Sequence, residues 1–290
     1  MPFRWRPDAD LVRSLPSSRR IIPFLMRRRN EAVVYLEQKV PMAEADSFLR
    51  AFRRETGRRA TRLSLIVWAA AQAIHLRPRL NRFVAGNRLF ARRGIWVSLT
   101  AKPANDDDHP PVVVKLRIDP DWPLERVTEL LDGALACARA GSVPALDRLL
   151  SQLLRLPPPA VLLLVRLQEL LDRLGLLPGA FYEHNPLYGS LFIANLGSIG
   201  LDAGYHHLFH YGNIPIFIVV GRVRHEPVVT VRREVVVRRM LTLRYTIDER
   251  IEDGLYYARA LELFHDRLEH PGRFIPLPAR AAAVDLQAAL

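Results

Sequence analysis

The residues RYTIDERIEDGLYYARALELF, numbers 244–264, join two patterns that together decide the fold. Up to Thr246 the chain is rich in β-branched and aromatic residues, which is typical of a strand. From Leu255 onward, apolar residues recur at three- and four-residue intervals, which predicts one face of a helix. A charged turn that closes with Gly254 lies between the two patterns. The stretch is therefore predicted to run strand, turn, helix.

The C-terminal third supplies the strands of the sheet to which this stretch belongs. Three segments there are long and rich in valine and isoleucine, a composition that suits a sheet covered on at least one face. The predicted strands are GSLFIAN (189–195), IPIFIVVGRV (214–223) and EVVVRRMLTLRYT (234–246). The following helix is predicted to end at Pro271-Gly272, because proline and glycine commonly terminate helices.

The N-terminal half contains elements of both types. Val- and Tyr-rich segments favour strands, and the spacing of leucine and alanine favours helices. The predicted elements are a strand at 31–40, a helix closed by Gly57, a buried helix between Thr61 and Pro78, a hairpin turning at Gly86-Asn87, a second strand pair, and a helix at 124–140.

Three further segments complete the predicted domain organisation. Residues 1–30 are rich in arginine and proline and are interpreted as a basic arm lying on a single domain at 31–272. Residues 142–188 form a Leu-rich insertion, interpreted as two helices broken at the prolines 157–159. This insertion could pack on the domain as a hairpin, or serve as a lid, a docking face or a membrane-surface element. Residues 273–290 are expected to form a C-terminal tail.

Composition limits the classes of partner. The 290 residues carry 42 Lys and Arg against 30 Asp and Glu, a formal net charge of +12. Such a charge attracts anionic partners, among them CoA phosphates, an acidic protein or a lipid surface. No nucleic-acid motif accompanies the charge, so we expect no nucleic-acid partner. Cys137 is the single cysteine and is predicted to be a small buried residue, and the low cysteine content fits a cytoplasmic protein.

Several segments, in the same order, resemble one protein family. They are RPRLNRFVAGNRLF (77–90), LFIANLGSIG (191–200) and the stretch from 227 to 271 that holds TIDERIEDG (246–254). The chain resembles the catalytic domain of the 2-oxoacid dehydrogenase acyltransferases, which shares its fold with chloramphenicol acetyltransferase. The resemblance runs from about residue 30 to 272. It implies an α/β, chloramphenicol acetyltransferase-like fold, with a mixed β-sheet flanked by helices and the Leu-rich helical hairpin as an insertion.

The resemblance also implies a chemistry, from which this sequence departs at two positions. The family transfers an acyl group between CoA and a thiol or hydroxyl, at a site formed between the subunits of a trimer. In its DHRxxDG signature the histidine is the general base, and a serine on an earlier strand stabilises the oxyanion. Here Glu249 replaces the histidine and Ala194 replaces the serine. Asp253 and Arg250 keep the frame of the signature and are expected to hold the turn in shape.

Two other polar groups are candidates for the missing roles. Asn195 follows Ala194 and could donate to an oxyanion, although adjacent strand residues face opposite ways. The segment HHLFHYG (206–212) imitates a histidine signature of related acyltransferases, so His207 is a candidate compensating base. His206 and His210 could form a metal pair only if they lie on a helix, and no metal site is predicted.

Two functions from different classes remain open at this point. The first is CoA-dependent acyl transfer to an unknown thiol or hydroxyl acceptor, with CoA or acyl-CoA as substrate and Glu249 as base. A glutamate in water has a pKa near 4.3 and is a weak base towards a thiol near 8.5. The second is a catalytically inactive homologue that acts as a trimeric scaffold or binding protein.

The expected partners follow from the same resemblance and from the insertion. A homotrimer is expected, which could assemble further. The Leu-rich insertion could meet an acyl acceptor or a membrane surface, and the segment FLMRRR (24–29) could add an electrostatic contact with anionic lipid. No lipoyl-lysine hairpin is found in this sequence, so the chain is not expected to shuttle acyl groups on a swinging arm of its own.

Overall fold

The computed structural model describes residues 5–102, 111–139 and 151–277. The strands are β1 (Trp5–Arg6), β2 (Ala9–Leu11), β3 (Val33–Pro41), β4 (Arg82–Ala85), β5 (Arg88–Arg92), β6 (Ile95–Ala101), β7 (Val112–Ile118), β8 (Leu191–Asn195), β9 (Ile216–Val229) and β10 (Val235–Asp248). The α-helices are α1 (Ser17–Leu25), α2 (Ala43–Thr56), α3 (Arg62–Leu76), α4 (Leu124–Arg139), α5 (Pro158–Leu174), α6 (Gly179–His184) and α7 (Gly254–Glu269). Within these residues, the helices are all too short or too polar to cross a membrane.

A six-stranded mixed sheet organises the fold, in the order β3-β10-β9-β8-β6-β7. The strand β8 lies parallel to both of its neighbours, whereas the other pairs are antiparallel. β9 and β10 form the long hairpin that the C-terminal Val-rich segments predict, with one register shift between Leu241 and Leu243. The predicted mixed sheet is thereby confirmed.

Helices cover one face of this sheet and form the main core with it. α3 is buried on almost every side, as its apolar sequence predicts, and packs against α4 and α7. It begins at Thr61, whose side chain accepts a hydrogen bond from the Ser64 amide while the Ser64 hydroxyl accepts one from the Thr61 amide. This reciprocal pair satisfies two amides that the first turn of a helix leaves unpaired.

A small second sheet, in the order β1-β2-β5-β4, includes part of the predicted arm. The hairpin β4–β5 turns at Gly86 and Asn87, which have φ values of 54° and 60°. Both values lie in the left-handed region that a two-residue type I′ turn requires, so the sequence pair identifies the turn correctly. Arg6 is fully buried here and pairs with Asp8 and with Asp172 of α5.

The opposite face of the main sheet is covered by a segment without regular secondary structure, residues 201–213. Ala203 and Leu208 from this segment pack against Phe192, Phe217 and Val219 of the sheet. The two faces of the sheet therefore differ, with helices on one and an irregular segment on the other.

One sequence prediction about this part of the molecule is wrong. Cys137 is exposed rather than buried, because it lies on the outer side of α4. Parts of two other predictions, residues 142–150 of the insertion and the tail beyond 277, lie outside the described residues. Within the insertion, α5 and α6 confirm a predominantly helical segment after the prolines.

A half-buried histidine on α7 gives the fold a pH dependence. His265 Nε2 lies 2.8 Å from the Tyr245 hydroxyl of β10, and burial lowers the pKa of His265 from 6.5 to about 4. Below pH 6.5 the unfolded chain therefore binds a proton that the native chain does not, and stability falls as the pH drops from 6.5 towards 4.

The substitution His265→Gln tests this link, because glutamine can still hydrogen-bond to Tyr245 but cannot titrate. We expect the variant to lose less unfolding free energy than the wild type between about pH 7.5 and about pH 5, measured by urea denaturation. Equal losses in the two proteins would show that other groups cause the acid sensitivity.

Candidate active site

Hydrogen bonds hold the turn after β10 at both of its ends. Asp253 precedes α7, and its Oδ1 accepts a hydrogen bond from the Tyr256 amide at 2.9 Å. An aspartate in this position satisfies one of the amides that a helix N-terminus leaves unpaired. At the other end, the Glu249 amide donates to the Ala32 carbonyl oxygen at 2.9 Å. A backbone amide thus donates a hydrogen bond at each end of the turn, to the Asp253 side chain at one end and to Ala32 at the other.

A buried ion pair lies immediately around Glu249. Arg250 donates from Nε to Asp248 Oδ1 at 2.8 Å and from Nη2 to Oδ2 at 2.7 Å, a bidentate geometry. The side chains of Asp248 and Arg250 are only 2% and 5% exposed. Bidentate arginine–carboxylate pairs are directional as well as strong, so this pair fixes the backbone on both sides of Glu249.

A second arginine, from the N-terminal arm, lies close enough to the same carboxylate to interact with it electrostatically. Arg29 is buried and donates to the carbonyl oxygens of Ile214 and Gly212, at 3.1 and 2.6 Å. Burial lowers the pKa of Arg29 to about 10, and the negative charge of Asp248 acts in the opposite direction. Arg29 therefore stays protonated at neutral pH and connects the turn to the irregular segment.

Ion pairs of Glu252 also fix the turn, and the sequence alone does not identify them. The Glu252 carboxylate is 6% exposed and meets three guanidinium groups, from Arg82 at 3.1 Å, Arg79 at 3.6 Å and Arg19 at 3.8 Å. These arginines come from β4, from the turn before it and from α1. The excess of arginine is the only sequence signal for these ion pairs, and it does not identify which acidic residue the arginines contact.

Glu249 is placed differently from its acidic neighbours. It is partly exposed, and in the described part of the chain no hydrogen bond or ion pair involves its carboxylate. Asp248, Glu252 and Asp253 are each engaged as described above. Of the four acidic residues in the turn, Glu249 therefore has the unpaired carboxylate, and the other three are engaged in ion pairs or a helix cap.

The two replaced signature positions, Glu249 and Ala194, are far apart in one chain. Ala194 pairs with Val219, which in turn pairs with Arg244, four residues before the end of β10. With strands about 4.8 Å apart and a rise of about 3.4 Å per residue, Ala194 lies roughly 17 Å from Asp248. The Ala194 methyl group is buried among Phe192, Phe217 and Val219. The described chain therefore does not bring the two positions together.

Asn195 and the histidines have different surroundings. Asn195 is at the end of β8, where its carbonyl oxygen accepts a hydrogen bond from the Ser198 hydroxyl at 2.7 Å. The His206 ring stacks on Phe217, with centroids 4.0 Å apart, and on His207. Burial lowers the pKa of His206, whereas His207 is exposed.

The segment that holds these histidines is not helical, so the idea of a helical metal pair formed by His206 and His210 is wrong. Across the described ranges, no group of three or more His, Cys, Asp or Glu side chains could hold a metal ion. The Thr246 hydroxyl donates to the His206 carbonyl oxygen. His206 and His207 therefore lie over the same sheet face as Thr246, near the end of β10.

Comparison with known proteins identifies a similar family. Residues 184–275 match the model of the family described as 2-oxoacid dehydrogenases acyltransferase (catalytic domain). No curated protein sequence gives a significant match.

Solved structures of the same fold cover nearly the whole chain. A probable dihydrolipoamide acetyltransferase from Listeria monocytogenes is 18% identical, with a TM-score of 0.59 over 90% of this chain and 94% of that one. A dihydrolipoamide acetyltransferase from Azotobacter vinelandii, solved to investigate a serine, a histidine and an asparagine in its catalytic mechanism, is 16% identical, with a TM-score of 0.60 over 91% and 94%. A chloramphenicol acetyltransferase is 13% identical, with a TM-score of 0.50 over 90% and 98%. The chain thus has the chloramphenicol acetyltransferase-like fold and, at residues 184–275, resembles the catalytic domain of the 2-oxoacid dehydrogenase acyltransferases.

Proposed function

We propose that this protein transfers an acyl group between CoA and a thiol or hydroxyl acceptor, with Glu249 as the general base. The observation that supports this proposal is the unpaired Glu249 carboxylate, because a general base must be free to accept the proton of the acceptor. The bidentate pair of Asp248 and Arg250 and the cap formed by Asp253 hold that carboxylate in place. In the Azotobacter enzyme the histidine and the asparagine under investigation are four residues apart, as are Glu249 and Asp253.

The separation of the two signature positions supports a site shared between copies of the chain. Glu249 and Ala194 cannot face one substrate within a single chain, because about 17 Å of sheet separates the two positions. A trimer would bring Glu249 of one copy towards the β8 end of the next. In such a site Asn195 or the exposed His207 would be the polar group nearest the former serine position, and Arg250 and Asp253 would be positioning residues.

The substitution Glu249→Gln tests this function. We expect it to lower the rate of CoA release from acetyl-CoA by about 100-fold or more, because a positioned base contributes that much to proton transfer. The assay follows CoA and acetyl-CoA by chromatography, with dihydrolipoamide as the thiol acceptor. Glu262→Gln is a matched control, since Glu262 is exposed on α7 and the charge change is the same.

A second variant tests separately whether Glu249 is the base and whether acyl transfer is the reaction. Glu249→His restores the imidazole of the signature and is expected to retain or raise the rate, since histidine titrates near neutrality. Full activity in Glu249→Gln would remove Glu249 from the mechanism while leaving acyl transfer in place.

The alternative function is a trimeric scaffold or binding protein without turnover. The buried methyl group of Ala194 favours it, because an alanine among aromatic side chains offers no donor to an oxyanion. This alternative predicts that the wild type releases no CoA above background and binds no CoA at millimolar concentration by calorimetry. Binding and turnover together would reject it.

A further inference from the structure

The Leu-rich helix α5 exposes most of its apolar surface to solvent. None of its residues is buried, although half of a helix is normally covered in a folded domain. Leu163, Leu167 and Leu170 lie four and three residues apart and form one stripe, with Leu163 68% exposed. Contiguous exposed apolar surface on this scale marks an interaction site.

The helix α1 of the N-terminal arm also exposes its apolar side to solvent. Ile21, Phe24 and Leu25 form its apolar stripe and are all exposed, with Leu25 reaching 70%. Its only buried residue is Pro23. Because α1 is held to the domain by polar contacts, its apolar side is free to face outward. The described contacts are the ion pair from Arg19 to Glu252 and backbone carbonyl oxygens that accept hydrogen bonds.

The two helices flank a single turn of the β4–β5 hairpin. Asn87 donates from Nδ2 to the Pro23 carbonyl oxygen at 2.8 Å, which ties the turn to α1. A Cβ atom on Gly86 would lie 2.8 Å from the Arg173 carbonyl oxygen, so the same turn also touches the end of α5. The C-terminal ends of α1 and α5 therefore meet at this turn. Their two exposed stripes are together called the α1–α5 surface, which comprises Ile21, Phe24, Leu25, Leu163, Leu167 and Leu170.

Basic side chains surround the α1–α5 surface. Five exposed arginines lie on these two helices or directly after α1, and they are Arg20, Arg27, Arg28, Arg166 and Arg173. The acidic residues are fewer than the arginines. Asp172 is paired with buried Arg6, Glu31 lies 3.9 Å from Arg28, and Glu169 is partly exposed on α5. A second copy docked on this surface would bring arginines against arginines, so the charge favours an anionic partner.

We propose that the α1–α5 surface binds the face of an anionic lipid bilayer. In this arrangement the leucines, Ile21 and Phe24 enter the boundary between headgroups and acyl chains, and the arginines contact lipid phosphates. The protein thereby lies on a membrane without crossing it. The proposal does not depend on whether Glu249 catalyses a reaction.

Co-sedimentation of the full chain with vesicles tests the proposal. One set of vesicles contains phosphatidylcholine alone, and the other contains one third phosphatidylglycerol. We expect binding to the anionic vesicles only, weakened by salt, because arginine–phosphate attraction is screened beyond a Debye length. No binding to anionic vesicles, or equal binding to both sets, would overturn the proposal.

Matched variants separate this surface from a general effect of the positive charge. Replacing Ile21, Phe24 and Leu25 with serine, or Leu163, Leu167 and Leu170 with glutamine, should weaken binding by about 10-fold or more, since each buried apolar group contributes to the partition. The control replaces Val229, Val235 and Val237 with serine, because these side chains are similarly exposed but lie on the β9–β10 hairpin. If all three triple variants bind as tightly as the wild type, only diffuse charge holds the protein and the proposal fails.

Light scattering of the same variants tests whether a second copy of the chain, rather than lipid, covers the α1–α5 surface. If the leucine variant changes the oligomeric state and the wild type ignores anionic vesicles, a second copy covers the surface and the lipid proposal is wrong.

Discussion

Replacing Asp248 with asparagine is expected to lower the free energy of unfolding by about 3–5 kcal/mol, the usual cost of removing one partner from a buried ion pair. The substitution leaves the Arg250 guanidinium without its bidentate acceptor, and it also removes the negative charge next to buried Arg29. Two positive charges would then lie close together in a part of the molecule that excludes water. Urea denaturation at neutral pH measures the loss.

The matched control is an exposed carboxylate that also contacts two arginines. Asp202 lies 3.0 Å from Arg222 and 2.5 Å from Arg224, but all three side chains are about half exposed. Asp202→Asn should cost less than about 1 kcal/mol, because solvent screens such pairs. If the two variants lose the same stability, the pair at the turn is not buried in solution and Glu249 has no rigid support.

The substitution Gly212→Ala is expected to cost about 4 kcal/mol or more, at the upper end of the range for point mutations. Gly212 has a φ of 86°, and a Cβ atom there would lie 2.2 Å from the Leu187 carbonyl oxygen. That oxygen accepts a hydrogen bond from the Asn213 amide, so it cannot move aside without breaking the contact. The Gly212 carbonyl oxygen also accepts from Arg29, which carries the disturbance to the turn.

Gly200→Ala separates the steric effect from the backbone effect. Gly200 has a similar φ of 80°, but no atom lies within 4 Å of a Cβ added there. Its cost should be limited to about 1–2 kcal/mol, the cost of the left-handed conformation for a residue with a side chain. A matched loss in the two variants, measured by urea denaturation, would mean that residues 187 and 212 do not pack as described.

The fold could be predicted from sequence where local patterns and long-range pairing agree. The Val-rich segments of β9 and β10, the turn at Gly86-Asn87 and the buried α3 each carry a signal within a few residues. The resemblance added the order of the elements, and comparison of structures confirms the fold. The outward orientation of α5 was left open, because an apolar stripe shows which side of a helix seeks cover but not what covers it.

The candidate site was only partly predictable, for a physical reason. The signature positions of Glu249, Arg250 and Asp253 can be read from a short motif. The arginines that contact Glu252 lie between 170 and 233 positions before it (252 − 82 and 252 − 19), and Arg29 lies 219 positions before Asp248 (248 − 29), so many of the 42 basic residues are equally plausible by sequence. The exposure of Cys137 was also missed, because small residues on both sides of a helix give a weak periodicity.

The pairing of β3 has a consequence for how the protein is made. β3 lies at the edge of the sheet and its one neighbour there is β10, with Val33 opposite Asp248. Pro41 ends the first strand 194 residues before Val235 begins the other (235 − 41), which takes a ribosome about 10–40 s at about 5–20 residues per second. Throughout that interval β3 has no strand to pair with, and the Ala32 carbonyl oxygen lacks the Glu249 amide that donates to it in the folded protein. The β3 edge of the main sheet can therefore form only after translation has passed β10, when nearly the whole domain has been made.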